Sequence, residues 1–113
     1  MTTITLKQLV APAQLANSDA AAVYTTPALT AAKIGRAVFT NTTGSPATIT
    51  AGISTGGALA AGTTLISAMT LAAGQSYVSP ELAGAVLPAG SAIRAYSGTA
   101  SAITFTASGL IIQ

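Results

Sequence analysis

This chain of 113 residues carries 4 basic and 2 acidic side chains and contains no histidine, cysteine or tryptophan. The groups that act as bases, nucleophiles and metal ligands at neutral pH are therefore almost all missing. A Ser-His-Asp or Cys-His site cannot be built, so the composition argues against an ordinary hydrolase, a metalloprotein or a redox protein.

Small residues dominate the rest of the composition: Ala, Gly, Ser and Thr supply 65 of the 113 positions. The mean hydropathy of +0.65 and the net charge of +2 favour a folded chain over a disordered one. The length predicts one domain. Because a designed soluble surface usually carries about a quarter charged residues, a chain with 5% is expected to be covered by partners in an assembly.

The N-terminal part of the chain mixes extended segments with breaks. Residues 3–6 have the composition of a short strand, which residues 11–14, with their proline, are expected to interrupt. Residues 17–19 offer a helix-cap or turn signal, and residues 24–27 are expected to be extended because the residue before a proline avoids the helical region. We interpret residues 1–20 as an N-terminal arm or edge strand; the alternative is that they simply belong to one of the sheets.

Strands are the strongest local signal in the rest of the chain. Apolar and polar residues alternate with the period of a half-buried strand in two segments, at residues 47–53 and 103–107. A third segment alternates less cleanly, with Ile93 and Ala95 facing one way and Arg94 and Tyr96 the other. Further strands are expected at residues 33–40, before a loop at 41–46, and at residues 110–112, which are apolar enough to be covered on both faces.

Glycines mark several of the predicted turns. Gly62, Gly74 and Gly90 each follow an alanine and precede an apolar residue by three positions, so each is predicted to supply a positive φ before a strand. The alanine-rich segments at residues 57–61 and 68–73 are too short for more than a local helical turn. This pattern predicts an all-β fold: an antiparallel β-sandwich, with a jelly roll as a variant, over residues 21–113.

The two acids are the first candidates for a site. A lone carboxylate such as Glu81 lacks the second group that general acid–base catalysis needs, and nothing in the spacing pairs it with Asp19. We therefore expect Glu81 to form an ion pair with an arginine or lysine, or to cap backbone N–H groups. Both acids with backbone oxygens would make a weak calcium site at best. No catalytic, cofactor-binding or metal-binding residue is predicted, and the chain is expected not to be an enzyme.

Aromatic and polar motifs add two further hypotheses. Tyr24, Tyr77 and Tyr96 are expected to pack in the core or across strands rather than to form a sugar- or partner-binding surface, since tryptophan is absent. Residues 41–43 match the N-glycosylation pattern, and without a signal peptide we interpret them as a polar turn.

The basic residues and the apolar segments bear on partners. Lys7, Lys33, Arg36 and Arg94 do not cluster in the sequence, so no nucleic-acid partner is predicted. No segment near 18 residues is continuously apolar, so no membrane span is predicted. The start of the chain lacks the pattern of a secretory signal, and the absence of cysteine fits synthesis in a reducing cytoplasm.

Five short motifs stand out along the chain: YTTPA at residues 24–28, FTNTTG at 39–44, LAAGQS at 71–76, VLPAG at 86–90 and SGLI at 108–111. Together they resemble motifs of small all-β virion proteins encoded among the structural genes of tailed bacteriophages. The resemblance covers residues 21–113, is most specific over residues 71–90 and departs from the family in small ways, with YTTPA where the family has Y-T-P-A.

The resemblance implies a non-enzymatic structural protein in the virion, made in the host bacterial cytoplasm. Within that class the first expectation is a capsid decoration or cement protein, a homo-oligomer with a trimer favoured, that binds the major capsid protein or other virion proteins. Its N-terminal arm would add a strand to a neighbour's open sheet. The alternative is a tail, neck or fibre component of the adsorption apparatus. A carbohydrate-binding module is disfavoured, because tryptophan is absent and carboxylates are scarce.

Overall fold

The computed structural model describes residues 3–19 and 21–113, and in these residues the chain forms nine strands and no helix. Six of the strands are six or more residues long and carry most of the fold. The strands are β1 (Ile4–Gln14), β2 (Tyr24–Thr25), β3 (Ala31–Asn41), β4 (Ala47–Ser54), β5 (Thr64–Leu71), β6 (Ser76–Val78), β7 (Val86–Leu87), β8 (Ala92–Ser97) and β9 (Ile103–Ile112).

The strands form two antiparallel sheets, which confirms the predicted β-sandwich. The larger sheet has the order β1-β9-β3-β6. The short strand β7 also pairs with β3, on the side where β6 lies but nearer the start of β3. The smaller sheet has the order β2-β8-β4-β5. The jelly-roll variant stays a prediction.

Alternating side chains from the two sheets make one hydrophobic core. Phe39 and Phe105 are directly paired on β3 and β9, and their rings stack with centroids 4.5 Å apart. Ile49 and Ile93 on the smaller sheet are fully buried in the same cluster. Burying each such side chain contributes about 1.5–3 kcal/mol, and most of the sandwich's stability comes from these alternating positions. The predicted orientation of residues 93–96 is confirmed, since Ile93 and Ala95 are buried and their neighbours half-buried.

The predicted interruption at residues 11–14 is wrong, because β1 continues through Pro12 to Gln14. β1 is an edge strand of the larger sheet and pairs only with β9. Proline lacks an N–H, and an edge strand tolerates it because one side of the strand has no ladder bond to lose. Two register shifts, between Gln8 and Val10 and between Val10 and Ala13, absorb the irregularity.

The glycine predictions are confirmed at two positions and wrong at one. Gly74 and Gly90 have φ values of 71° and 84° and precede β6 and β8. Gly62 does not have a positive φ, because the turn of residues 61–63 is closed instead by the Thr63 side chain, whose Oγ1 accepts a hydrogen bond from Ala60 N. Neither alanine-rich segment is helical, and residues 68–71 are the end of β5.

One end of the larger sheet has no second layer over it. Residues 4–8 of β1 are exposed on both faces, and residues 109–112 of β9 are half-buried at every position rather than covered on both faces as predicted. The molecule is correspondingly elongated, with extents of 49 × 25 × 19 Å. This uncovered end is made of β1, β9 and the start of β3.

Candidate interaction surface

Glu81 lies in the turn between β6 and β7, and the expectation of an ion pair is wrong. Its carboxylate accepts hydrogen bonds from the Tyr77 hydroxyl at 2.6 Å and from Ser79 Oγ at 3.1 Å. Ser79 Oγ in turn accepts a hydrogen bond from Leu82 N and so caps the turn. The Tyr77 hydrogen bond lowers the pKa of Glu81 below its ordinary value and raises the pKa of Tyr77. The local roles of Glu81 within the described residues are therefore structural.

Asp19 holds together three separate parts of the chain. Its Oδ1 accepts a hydrogen bond from Arg94 Nη1 at 2.9 Å, and its Oδ2 accepts one from Leu59 N at 2.6 Å. The pair is mostly buried, with 13% and 14% of the two side chains exposed. Asp19 and Glu81 thus have different partners in different places, and the part of the chain that the structure describes contains no cluster of three acids that could hold a metal ion.

The three tyrosines do not form one surface. Tyr24 pairs with Ile93 and packs against the core, where burial raises its pKa. Tyr77 belongs to the larger sheet, and Tyr96 pairs with Thr50 on the outer face of the smaller one. Tyr24 and Tyr77 contact the hydrophobic core, as the sequence predicts.

Asn41 confirms the prediction of a polar turn at residues 41–43. Its side chain is fully buried, and its amide nitrogen donates to the carbonyl oxygens of Ser45 and Leu71 at 2.8 and 3.0 Å. Its oxygen accepts hydrogen bonds from the backbone N–H and hydroxyl of Thr43. A glycan would replace one of the two hydrogens that this nitrogen donates and would have to fit on a fully buried side chain, so the motif is used for folding.

Three of the four basic residues gather at one end of the larger sheet, Lys33 and Arg36 on its outer face and Lys7 on the other face, whereas the sequence shows no grouping. The strand register places Lys7 opposite Gly109, Lys33 opposite Leu110 and Arg36 opposite Ser108, all at the uncovered end of the larger sheet. None of the three forms an ion pair with a described residue. No spacing in the sequence could reveal this cluster, because it depends on which residues of β1, β9 and β3 lie side by side.

Aliphatic side chains lie beside Lys33 and Arg36 on the outer face of the sheet. Directly paired residues of a sheet point to the same face, so the register defines two rows across the strands. One row runs Ile4, Ile112 and Ala31, and the next runs Leu6, Leu110, Lys33 and Val86. The exposed fractions of Ile4, Leu6 and Val86 are 65%, 85% and 62%. We name these two rows the outer aliphatic face.

A shallow depression of about 460 Å³ adjoins the outer aliphatic face. Leu6, Gln8 and Arg36 contribute to its lining, together with residues 35 and 109, which are glycines. β3 carries its register shift at this point, between Ile34 and Arg36. The depression therefore places the aliphatic Leu6 beside the cationic Arg36, a combination suited to an acidic side chain flanked by aliphatic ones.

Comparison of the chain with models of protein families, with curated proteins and with solved structures found no match. Within residues 3–19 and 21–113 there is no helix that is long and apolar enough to cross a membrane. The uncovered end of the larger sheet, with its exposed aliphatic and cationic side chains, is the part of this structure that most requires a functional explanation.

Proposed function

We propose that the chain is a non-enzymatic structural protein of a tailed-bacteriophage virion, and within that class a capsid decoration or cement protein. In this role it would bind the major capsid protein at symmetric positions and strengthen the shell against internal pressure. The proposal combines the motif resemblance over residues 21–113 with the physical properties of the uncovered end. A homo-oligomer, with a trimer favoured, would multiply a weak contact by symmetry.

The single observation that supports this proposal best is the exposure of Ile4 and Leu6. Their side chains are 65% and 85% exposed on an edge strand that no second layer covers. A long, apolar, uncovered edge is an aggregation hazard, and proteins usually protect it. Burying both side chains in an assembly would contribute about 1.5–3 kcal/mol each, which gives the assembled state a direct advantage.

A tail, neck or fibre component is the second candidate, and a loop favours it. Residues 55–58 and 60–62 are exposed in the loop between β4 and β5, at the edge of the smaller sheet and not in the sheet that contains β1. Asp19 fastens this loop through Leu59 N, so the loop is presented in a defined conformation. A fixed exposed loop is a suitable contact for a host surface or another tail protein.

Copy number in the particle tests the proposal and separates the two candidates. The measurement is quantitative mass spectrometry of purified particles of the virus whose genome encodes the chain, relative to the major shell protein. A ratio near parity would support decoration of the whole head. A ratio of a few per cent would support a tail, neck or fibre location. Absence from the particle would contradict the structural proposal, and a glycan array would then test a free binding module.

A further inference from the structure

The backbone of β1 has a free side whose geometry can be derived from its ends. Thr3 and Gln113 exchange both of their backbone hydrogen bonds, at 2.6 and 2.9 Å. In an antiparallel pair such residues alternate with residues whose N–H and C=O groups point the other way. With the same register continuing to Gln8, the backbone groups of Ile4, Leu6 and Gln8 point away from β9 to the open edge.

The free edge is short and has a defined end. Beyond Gln8 the first register shift turns the strand, and Pro12 within the second shift has no N–H to offer. Regular pairing on the open side is therefore limited to residues 4–8. These residues can pair with one short extended strand, but they are too few to pair with the full length of another sheet's edge strand.

The side chains beside this edge specify what an added strand should carry. Residues of the added strand opposite Ile4 and Leu6 would extend the outer aliphatic face, so they should be aliphatic. A residue opposite Lys7 would point to the other face, next to a cation that has no described partner. An acidic residue at that position would make a cross-strand ion pair with Lys7.

The charge distribution argues against a second copy of this chain as the occupant. The chain has only two acids, and both are engaged: Asp19 binds Arg94, and Glu81 binds Tyr77 and Ser79. Two copies meeting at this edge would bring two Lys7 side chains to the same face with no side-chain carboxylate to offset them. A different protein has to supply the negative charge.

We propose that residues 4–8 of β1 accept an extended strand from a different protein, in which aliphatic residues alternate with an acidic residue opposite Lys7. The added strand bonds to the free backbone groups of Ile4, Leu6 and Gln8 and extends the outer aliphatic face by one strand. This inference rests on the proposed function only for the identity of the protein that supplies the strand, which would be a shell subunit.

Amide hydrogen exchange with a peptide probe tests the inference on the intact protein. The probe is an end-blocked peptide in which Thr-Glu-Val-Thr-Val, flanked by serines, pairs antiparallel with residues 8 to 4. At saturating peptide the amides of Ile4, Leu6 and Gln8 should exchange at least about tenfold more slowly, while those of Thr5 and Lys7, already bonded to β9, change little. A peptide N-methylated at the pairing amides should give no protection.

A charge swap supplies the control for specificity. Lys7→Glu, at an exposed position with no described partner, should weaken binding of the glutamate peptide by about tenfold and favour a peptide with lysine in its place. Equal protection by the N-methylated peptide, or no protection at all, would overturn the inference. The inference would also be overturned if the same amides were protected in the absence of peptide and lost that protection on dilution. A second copy of the chain would then occupy the edge. Particle copy number is independent of these readouts, so either proposal can fail alone.

Discussion

Asp19 Oδ1 accepts a hydrogen bond from Arg94 Nη1 at 2.9 Å, and this ion pair fastens the segment that follows β1 to strand β8 of the opposite sheet. The same carboxylate accepts a hydrogen bond from Leu59 N in the loop between β4 and β5. One acid of the two in the chain therefore couples the edge strand, the smaller sheet and an exposed loop. The scarcity of charge makes each charged contact more important to the fold.

Replacing Asp19 with alanine should destabilise the protein by about 2 kcal/mol, because Arg94 is left mostly buried without its partner and Leu59 N loses its acceptor. Urea unfolding measures the change. Asp19→Asn is the matched control: it keeps an oxygen for Leu59 N but removes the charge, so about half of the loss is expected. Unchanged stability in Asp19→Ala would show that the pair is not needed for the fold.

Gly109 should tolerate no side chain. A Cβ at this position would overlap the carbonyl oxygen of Lys33 and come within 2.9 Å of Gly35 N, both of which are backbone atoms that cannot move aside cheaply. Gly109→Ala is expected to cost about 3 kcal/mol. Gly44→Ala is the control, because a Cβ there meets nothing within 4 Å and the residue lacks a positive φ. Thermal unfolding of the two variants should differ clearly, and equal melting temperatures would refute the close approach of β3 and β9.

Most of the sandwich could be predicted from the sequence, because strand alternation is a local property. Residues 47–53 and 103–107 alternate cleanly, and they became β4 and the first half of β9. The course of β1 was harder to predict, since a proline usually ends a strand and is harmless only at an edge with one free side. Residues 1–20 were interpreted as an arm or edge strand, but the sequence did not show that the strand continues through Pro12.

The interaction surface could not be predicted, for a different physical reason. Lys7, Lys33 and Arg36 become neighbours only through the register of three strands that are distant in sequence. Ile4 and Leu6 have the alternation of any half-buried strand, and only the register with β9 shows that both side chains point to the outer face and are exposed. Glu81 was expected to form an ion pair or to cap backbone N–H groups, but its carboxylate accepts hydrogen bonds from the hydroxyls of Tyr77 and Ser79.

Asn41→Ala should be among the most damaging polar substitutions in the chain. The side chain is fully buried, and its removal leaves the carbonyl oxygens of Ser45 and Leu71 and the N–H of Thr43 without their partner. We expect a loss of about 3 kcal/mol in the free energy of unfolding. Thr43→Ala, which removes only the hydroxyl, should cost about 1 kcal/mol. Equal losses for the two variants would show that the amide contacts contribute little.

The Tyr77–Glu81 hydrogen bond should give a small pH dependence. Because the folded-state pKa of Glu81 lies below its ordinary value, the contact stabilises the folded protein above that value and is lost as the pH falls through the folded-state pKa. The raised pKa of Tyr77 works at the other end, where the contact is lost as the pH rises above about 10.

The size of that effect should be about 0.5 kcal/mol, because Glu81 is exposed and Tyr77 is only half-buried. Glu81→Gln should therefore be slightly less stable than the native chain near neutral pH and equally stable at about pH 3, where the native carboxyl is protonated. Urea unfolding at both pH values measures the difference. Tyr77→Phe should raise the pKa of Glu81 toward its ordinary value, since the Tyr77 hydrogen bond is the largest cause of the lowered pKa. If the difference in stability between Glu81→Gln and the native chain did not change with pH, the contribution of Glu81 would come from packing and not from its charge.

Leu29 combines two unfavourable properties, and replacing it should stabilise the protein. It has a φ of 59°, in the left-handed region that favours glycine and asparagine, and its side chain is 95% exposed. Leu29→Asn keeps the turn before β3 and should raise the free energy of unfolding by about 0.5–1 kcal/mol.

Leu65→Asn is the matched control for this prediction, because Leu65 is also exposed but lies in strand β5, where asparagine is disfavoured, so a loss is expected. Parallel thermal unfolding of the two variants gives the answer, and a destabilised Leu29→Asn would show that the leucine supports its own turn. A more stable Leu29→Asn variant would instead mean that the leucine is not present at this position for the stability of the fold. Since Leu29 lies two residues before Ala31 of the outer aliphatic face, an external contact that extends this face would then account for it.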